Sequence, residues 1–345
     1  MRVTLAGYHA ISIIHGGPLT QLTQTARHLA DHGIEAQLFD PWAPFRSGEC
    51  DLFHLFAANI GTYHLAREVV AAGVPLVTSP ILYSRHSPAY LRMGLAATRS
   101  VQKFVHGVWS DYSLCADVCS WAVCVLPNTI AEATLVGRGL GVPQEKIIVV
   151  PNGVDERFLH ADPSSFIKRY GIRDFVLNVG HIGPARKNVL RLIQALGSID
   201  HPAVIIGRIT REPASAACVR EAAKYKNILL IDGQTISSEI LASAYAACRV
   251  FALPSLYETP GIAALEAGLA GATVLITPGG GTREYFRDMA IYVDPLSVSS
   301  IRDAIVEALG RPKDGRLREH IHTHYLWSHV AAKTAEVYRQ ALGAR

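Results

Sequence analysis

Residues 253–271 have the sequence LPSLYETPGIAALEAGLAG, which says more about the fold than any other part of the chain. An apolar run typical of a buried strand precedes it, and the pattern then predicts a helix. Thr259 would cap this helix, Pro260 would occupy the first helical position, and Gly271 would follow the last turn. The first N–H groups of a helix have no partner within it, and Gly261 adds no bulky side chain. The segment therefore predicts an anion-binding helix end directly after a strand.

Two glutamates flank this helix end. Glu258 lies in the preceding loop, and Glu266 lies one turn beyond Ile262, as the only charged residue between Thr259 and Thr282. A sugar nucleotide would match such a site, because its diphosphate suits the N–H groups and its hydroxyls suit two carboxylates. The alternative is a capping loop in which a glutamate satisfies a buried backbone group, and the segment alone leaves both interpretations open.

Composition limits the class of protein. A chain of 345 residues suits two domains of ordinary size, and 49% hydrophobic with 18% charged residues is typical of a well-filled globular protein. The net charge of +4 is too small to indicate nucleic-acid binding. No apolar run approaches eighteen residues, and a strand begins directly at the first residues, so we expect neither a membrane span nor a signal peptide. The six cysteines form no Cys-x-x-Cys pair, which favours reduced thiols in the cytoplasm.

The first half of the chain begins as a Rossmann-like unit. A strand at Arg2–Leu5 precedes the Gly16-Gly17 loop, a helix over Leu19–His32 and a strand at Glu35–Phe39. Loops at the carboxyl ends of parallel strands face the ligand crevice, so Gly16 and Gly17 are candidate ligand-contacting residues. A tight turn without a ligand would have the same sequence.

The same pattern starts again in the second half. A strand at Phe175–Val179 opens into a glycine-containing loop, 180–188, which carries Arg186 and Lys187 and leads into an amphipathic helix. A lysine here suits a phosphate group, although a basic loop at a helix start is the alternative. Both halves are therefore predicted to be doubly wound α/β domains, with a linker between about residues 155 and 162.

A basic segment in the first half lacks acidic residues from Val69 to Ser110. If residues 89–105 form a helix, one face is apolar and a second face is basic. The apolar face comprises Tyr90, Met93, Ala97, Val101 and Phe104, and the basic face comprises Arg92, Arg99 and Lys103. Two interpretations remain: a surface for anionic lipid or an anionic acceptor, and an ordinary core stripe beneath a solvated basic face.

Histidines near the C terminus do not form a convincing metal site. His320, His322 and His324 are spaced by two residues, so only His320 and His324 would share a helix face. No nearby acid or cysteine completes a set of ligands. Solvated histidines are therefore expected, and no metal site is predicted.

Several ordered motifs together make the chain resemble the retaining, nucleotide-sugar-dependent glycosyltransferases of family 4, which have the GT-B architecture. The motifs are Val150-Pro-Asn-Gly-Val-Asp155, Val179-Gly180 through Lys187-Asn188, Glu258-x7-Glu266 and Gly279-Gly280 with Glu284. The resemblance implies an α/β fold with two Rossmann-like domains facing a cleft. Residues 1–157 would form the acceptor-side domain, residues 158–325 would bind the donor, and a last helix at about 326–345 would pack back on the first domain.

The resemblance also implies roles for individual residues. Lys187 and Glu258 would be the catalytic pair, with Lys187 holding the donor diphosphate and Glu258 contacting the donor sugar. The remaining donor-binding residues would be Gly16, Gly17, Gly180, His181, Arg186, Gly261, Ile262 and Glu266, with Glu266 on the ribose. The donor would be of UDP or GDP type, with no metal and no other cofactor. The acceptor would be a glycan, a lipid or a small molecule, in the cytoplasm or at the inner face of the membrane.

Two positions depart from the family pattern. His181 stands where the family usually has an arginine, so Arg186 is a candidate to supply the missing charge. Ser79 stands where many members have a histidine near the reacting carbon, and His86 lies further along the chain. These departures leave two alternatives to an active transferase: a non-catalytic partner protein and a sugar-nucleotide epimerase on the same fold.

Overall fold

Two parallel β-sheets organise the part of the chain that the computed structural model describes, residues 1–14 and 16–343. One unit comprises residues 1–153 with 327–345, and the other comprises residues 154–326. Ala344 and Arg345, at the end of the predicted last helix, lie outside the described residues.

The first unit has a five-stranded sheet in the order β2-β1-β3-β4-β5. Its strands are β1 (Arg2–Ala6), β2 (Glu35–Leu38), β3 (Leu52–Phe56), β4 (Leu76–Ser79) and β5 (Cys124–Val125). Its described helices, numbered in chain order, are α1 (Ile11–Ile14), α2 (Gly17–Leu29), α3 (Ile60–Ala71), α4 (Pro88–Gln102), α5 (Asp111–Trp121), α6 (Ile130–Thr134) and the last helix, α15 (Trp327–Gly343). Every residue of β3 is buried, as expected for a parallel strand with helices on both faces.

The second unit has a six-stranded sheet in the order β11-β10-β9-β6-β7-β8. Its strands are β6 (Val176–Val179), β7 (Ala203–Gly207), β8 (Ile228–Asp232), β9 (Val250–Leu253), β10 (Thr273–Ile276) and β11 (Ile291–Tyr292). Its helices are α7 (Ser164–Tyr170), α8 (Val189–Leu196), α9 (Pro213–Ala222), α10 (Ser238–Ala247), α11 (Ile262–Leu269), α12 (Thr282–Phe286), α13 (Val298–Gly310) and α14 (Arg316–His324).

The strand order of the second unit creates a switch point. The chain runs outward from β6 to β7 and β8, and then returns to β9 on the opposite side of β6. In open α/β sheets, ligands bind outside the carboxyl ends of the strands at such a reversal. In this unit, the loops after β6 and β9, with the helix that follows β9, carry the predicted donor-binding residues. The topology therefore brings them to one edge of the sheet.

The helix after β9 begins later than the sequence predicts. Its first residue is Ile262, and Thr259 does not cap it, because Gly261 is the N-cap residue with a left-handed φ of 90°. That conformation breaks the helical path between Pro260 and Ile262, so Pro260 is not in the first turn. The predicted end is confirmed, since Gly271 follows the last turn with φ of 91°.

Helix α4 forms as predicted, but it packs on a different face. Leu91 and Leu95 are its buried residues. The predicted core stripe faces solvent instead, and the exposed fractions are 65% for Met93 and 86% for Phe104. Of the two interpretations of this helix, the core stripe is therefore wrong, because a run of apolar residues at helical spacing cannot show which of two apolar faces is buried.

Further expectations concern cysteines, histidines and membrane spans. All six cysteines are free and buried. His320 is not solvated as expected, because it is buried and its Nε2 lies 3.0 Å from the carbonyl oxygen of Tyr285. None of the helices in the described residues combines the length and apolar character needed to cross a bilayer.

Candidate active site

The loop after β6, residues 180–188, is fastened to the loop after β9. Asn188 has a left-handed conformation, and its side-chain amide donates a hydrogen bond of 2.9 Å to the carbonyl oxygen of Pro254. The backbone N–H of Leu256 donates to the carbonyl oxygen of Arg186 at 2.8 Å. These contacts join segments that are distant in sequence, so the basic residues of the first loop lie against the second loop.

Glu258 lies in the loop of residues 254–261. A third loop, which follows β10, holds its backbone in place. The backbone N–H of Glu258 donates to the carbonyl oxygen of Gly279, and the N–H of Gly281 donates to the carbonyl oxygen of Glu258, both at 3.0 Å. Between them, Gly280 has φ of 91°, and a Cβ atom there would lie 2.1 Å from the carbonyl oxygen of Glu258. Only glycine fits this position, which explains the residue at 280.

Glu258 is the centre of a buried charge cluster. Its side chain accepts a 2.6 Å hydrogen bond from Lys187 Nζ at Oε1 and lies 3.2 Å from the Arg186 guanidinium at Oε2. The residue is only 5% exposed. Burial raises the pKa of Glu258, but the charges of Lys187 and Arg186 outweigh burial and hold that pKa below its ordinary value. The cluster therefore contains one carboxylate and two cations, an excess of positive charge.

Arg186 has further contacts that orient it. Its guanidinium donates to the carbonyl oxygen of Tyr257 at 3.3 Å and lies 5.3 Å from the centre of the Tyr257 ring. Its side chain is 38% exposed, compared with 18% for Lys187. Arg186 thus retains access to solvent on one side while it binds Glu258 on the other.

The other predicted residues of the β6 loop lie close to this cluster in sequence. A Cβ atom on Gly180 would lie 3.9 Å from the aliphatic carbons of Lys187, so the glycine borders the lysine stem. His181 follows in the same loop and is half-buried. Gly180 is therefore placed beside the charge cluster.

The start of helix α11 borders the same cluster. The N–H of Ala264 donates to the carbonyl oxygen of Gly261 at 2.8 Å, which closes the first turn. The N–H groups of Ile262 and Ala263 precede this turn and have no acceptor within the helix. Glu258 Cβ would lie 3.5 Å from a Cβ on Gly261. Two cations and a helix N-terminus thus all lie near Glu258, an arrangement that attracts a multiply charged anion.

Glu266 has a partner that no sequence pattern predicts. Its Oε2 accepts a 2.7 Å hydrogen bond from the hydroxyl of Tyr245, which is fully buried in α10. Burial, and then the neighbouring Glu266, raise the pKa of Tyr245 well above its ordinary value, so the hydroxyl remains a donor. Tyr245 lies in an alanine-rich helix with no motif around it, which is why the sequence gives no signal for it.

The pKa of Glu266 is raised to about 7. Burial is the main cause, while the Tyr245 hydrogen bond and the charge of Arg157 act in the opposite direction. A carboxyl group with this pKa changes its charge near neutral pH. In the ionised form both of its oxygens only accept hydrogen bonds, whereas in the protonated form one oxygen becomes an O–H donor.

In the first unit, the predicted glycines lie at the start of α2. Gly17 is the first residue of that helix, and Gly16 precedes it in an exposed position. They belong to the first unit, whereas Lys187, Glu258 and Glu266 belong to the second.

Ser79 belongs to a buried polar network. Its hydroxyl lies 3.0 Å from His54 Nε2, and the other ring nitrogen, Nδ1, lies 2.6 Å from the hydroxyl of Tyr338 in α15. Burial lowers the pKa of His54 to about 3, so the imidazole is neutral. The network ties α15 to the sheet of the first unit. Ser79 thus has a structural partner, and His86 is exposed and stacked on Tyr90.

Potential metal ligands are dispersed. Within residues 1–14 and 16–343, no three His, Cys, Asp or Glu side chains converge in a way that would hold an ion.

Comparison with known proteins gives a family match for part of the chain. Residues 173–311 match the family model of the group 1 glycosyl transferases. The matched range contains Lys187, Glu258 and Glu266. An uncharacterized glycosyltransferase of Methanocaldococcus jannaschii is 28% identical over 58% of this chain and 55% of its own length. The chain spans about half the length of the first curated relatives that it matches.

Solved structures show the same fold at low sequence identity. Sucrose-phosphate synthase of Thermosynechococcus elongatus superimposes with a TM-score of 0.79 at 18% identity and covers all of both chains. HepE of Anabaena, solved with UDP and glucose, has a TM-score of 0.71 at 17% identity over 99% of this chain and 100% of its own. The predicted α/β fold of the GT-B type is therefore confirmed.

Proposed function

We propose that this protein, whose residues 173–311 match the group 1 glycosyl transferases, transfers a sugar from a nucleoside-diphosphate sugar to a glycan, lipid or small-molecule acceptor. The observation that carries the proposal is the cluster of Lys187, Arg186 and Glu258 beside the start of α11. Breaking the bond between the sugar and the diphosphate places negative charge on the leaving group. Fixed cations and helix N–H groups stabilise that charge without reorganising.

Each polar group has a role in this proposal. Lys187 and Arg186 contact the diphosphate, and the N–H groups of Ile262 and Ala263 contact its phosphate oxygens. Glu258, which is ionised, accepts hydrogen bonds from hydroxyls of the donor sugar. Glu266 accepts hydrogen bonds from the ribose. The ion pair between Lys187 and Glu258 also holds the lysine ammonium at this site before a ligand binds.

The reaction in this proposal needs no divalent metal and proceeds with retention of configuration. The two cations supply the charge that a metal ion would otherwise give to a departing diphosphate. Retention requires the acceptor hydroxyl to attack the sugar carbon on the face from which the diphosphate leaves. Support for the nucleotide comes from HepE, a protein of the same fold that was solved with UDP.

The proposal includes the partners and the place of the reaction. The acceptor is a glycan, a lipid or a small molecule, and the protein acts in the cytoplasm with peripheral contact to the inner membrane face. The support for membrane contact is an exposed apolar and basic surface on the first unit, residues 85–109.

Nucleoside diphosphates are expected to stabilise the purified protein selectively. In a thermal-shift panel of UDP, GDP, ADP, TDP and CMP, one diphosphate should raise Tm, with or without a chelator. A ligand at a hundredfold its Kd contributes about 2.7 kcal/mol, which is readily measured. A shift that a chelator abolishes would contradict metal independence. No shift with any nucleotide would favour the non-catalytic alternative, and His181→Arg would then be the first variant to compare.

The Tyr245→Phe variant tests whether Tyr245 positions Glu266. Removing the hydroxyl should raise KM for the donor about threefold to tenfold and leave kcat nearly unchanged, because the hydrogen bond that orients the binding carboxylate is lost while the carboxylate itself remains. It should also raise the pKa of Glu266, so that the fall in kcat/KM on acidification begins at higher pH. Tyr338→Phe removes a buried hydroxyl of the first unit and is the matched control. Equal pH profiles for Tyr245→Phe and wild type would contradict the positioning role.

A further inference from the structure

The motif at residues 150–155 leads into a short 3-10 turn, Glu156–Phe158, to which the proposed function gives no role. Asp155 begins this turn, and its Oδ1 accepts a 3.0 Å hydrogen bond from the backbone N–H of Arg157. The other carboxylate oxygen, Oδ2, lies 4.0 Å from Nε of the Arg157 side chain. Asp155 therefore holds the backbone of Arg157 and pairs with its guanidinium.

The Arg157 side chain is linked to Glu266 by a series of ring contacts. Its guanidinium carbon lies 4.8 Å from the centre of the Phe158 ring, within the range of a cation–π contact. Phe158 is buried, and its ring meets that of Tyr245 edge to face, with 5.4 Å between the ring centres. The hydroxyl of Tyr245 in turn donates to Oε2 of Glu266 at 2.7 Å. Packing around Phe158 thus fixes Arg157 and the hydrogen bond to Glu266 together.

Arg157 also acts on Glu266 through its charge. Burial raises the pKa of Glu266, the Tyr245 hydrogen bond and the charge of Arg157 lower that pKa, and the charge of Asp155 raises it again. Burial likewise raises the pKa of Tyr245, and the charge of Arg157 again acts against burial. The guanidinium therefore lies within electrostatic reach of both partners of the buried hydrogen bond.

The other elements packed on α11 add no charge at Glu266. Strands β9 and β10 contain no titratable side chain. Helix α14 packs on α11 at Gly268 through apolar side chains, two residues beyond Glu266 and therefore on another face of the helix. Among the described residues, the charges that act on Glu266 are those of Arg157 and Asp155.

Arg157 is not buried like the groups on which it acts. Its side chain is 48% exposed, and it lines a cavity of about 400 Å³ together with Asp162 and Glu239. A guanidinium stays protonated in such surroundings, so its charge is permanent over the pH range in which a carboxyl group titrates. Because solvent reaches the guanidinium, added salt should weaken its effect.

We infer that Arg157 is a positioning residue, which acts on Glu266 through its charge and through the Phe158 and Tyr245 rings, and that Asp155 holds it in place. The inference rests on the proposed function in one respect, that Glu266 binds the donor. The guanidinium keeps Glu266 ionised at lower pH than burial alone would allow, so both carboxylate oxygens remain acceptors for the ribose. The charge of Asp155 limits this effect because it acts in the opposite direction.

Titration of Glu266 in the unliganded full chain tests the inference without donor or transfer. Carbon-13 NMR of the glutamate carboxyl groups follows the titration, and Glu266→Gln identifies the signal by its loss. Arg157→Gln should move the midpoint upward by at least about half a pH unit, whereas Asp155→Asn should move it downward. Asparagine still caps the turn, so the second variant removes the charge and retains the backbone hydrogen bond. A general loosening of the fold would not produce shifts of opposite sign.

A matched Asp–Arg pair for control variants lies at the start of α14. Asp314 accepts a 2.7 Å hydrogen bond from the backbone N–H of Arg316, and its second oxygen accepts one of 2.9 Å from Nε of that arginine. Arg316→Gln and Asp314→Asn break the same kind of pair and should leave the midpoint of Glu266 unchanged. An unchanged midpoint in Arg157→Gln would overturn the inference, as would equal shifts in Arg157→Gln and Arg316→Gln.

Calorimetric binding of UDP and GDP gives a second readout. Half a pH unit corresponds to about threefold in the ionised fraction below the midpoint, so Arg157→Gln should weaken binding of the preferred diphosphate about threefold at about pH 6. At about pH 8.5 the variant and wild type should bind nearly equally, and added salt should reduce the difference at low pH. Equal losses at both pH values would overturn the inference. Failure of wild type to bind either nucleotide would overturn the proposed function, while the carboxyl titration would still decide the role of Arg157.

Discussion

The Lys187→Met variant is expected to lose about 10²- to 10³-fold in kcat/KM for sugar transfer. Lys187 Nζ is the cation bound most closely to Glu258, at 2.6 Å, and it is only 18% exposed. In the proposed reaction it faces charge that develops on the leaving diphosphate. Removal of one preorganised group of this kind costs about 3–4 kcal/mol of transition-state stabilisation. Arg186 remains, so the loss should be incomplete.

A structural effect of this substitution can be separated from a catalytic one. Without Lys187, the buried Glu258 carboxylate retains only Arg186, and an incompletely paired buried charge destabilises the fold. The double variant Lys187→Met with Glu258→Gln removes that charge and should recover stability, measured as Tm, but not activity. Lys168→Met, on the exposed surface of α7, is the matched control. Recovery of transfer activity in the double variant would show that Lys187 serves the fold alone.

Arg186→Met should have a smaller effect, about tenfold in kcat/KM. Its side chain is more exposed, at 38%, and its distance to Glu258 is longer, at 3.2 Å. A loss as large as that of Lys187→Met would instead indicate that Arg186 is the main diphosphate ligand. Either result measures how far Arg186 replaces the arginine that the family has at the position of His181.

The Glu266→Gln variant is expected to weaken donor binding and to stabilise the unliganded protein. Loss of the charged acceptor should raise KM for the donor about 10- to 100-fold, because hydrogen bonds to a charged group contribute about 1.5–3 kcal/mol. In wild type, donor affinity should rise as pH increases through about 7, where Glu266 ionises. The variant should lack this dependence. Unchanged KM at pH 8 would show that Glu266 does not bind the donor.

The expected effect on stability follows from the direction of the pKa shift. The folded protein raises the pKa of Glu266 from 4.5 to about 7, so it binds this proton more tightly than the unfolded chain does. Stability from Glu266 is therefore fully present below about pH 4.5 and is lost as pH rises to about 7. At pH 8 the ionised group costs about 1–2 kcal/mol after allowance for partial exposure, and Glu266→Gln removes this cost. Tm should rise by a few degrees at pH 8 and change little at pH 5.

The donor-side loops could be predicted from the sequence because their signals are local. Val179-Gly180 marks the end of a buried strand, and Gly271 marks the end of a helix. Each signal therefore predicts where the chain leaves a regular element and turns back toward the sheet. The start of α11 was placed wrongly at Pro260. The left-handed Gly261 delays the helix, and that conformation depends on how the loop packs rather than on the residues alone.

Helix α4 shows more clearly what a sequence pattern cannot predict. Its sequence contains two apolar faces, one with Leu91 and Leu95 and another with Met93 and Val101. The hydrophobic spacing is equally helical on both. Only contact with the rest of the first unit selects Leu91 and Leu95 for burial and leaves the other face exposed.

The sequence by itself determined the α/β architecture, the loops at the strand ends and the residue types that a phosphate site requires, because hydrophobic period, glycine and helix-start signals act over a few residues. The tertiary structure alone decided the pairing of Lys187 and Arg186 with Glu258 and of Tyr245 with Glu266. These partners are far apart in the chain, and the order of strands in the sheet brings them together. The pKa shifts of Glu258, Glu266 and Tyr245 depend on the same packing, since burial and neighbouring charges act on them only in the folded protein.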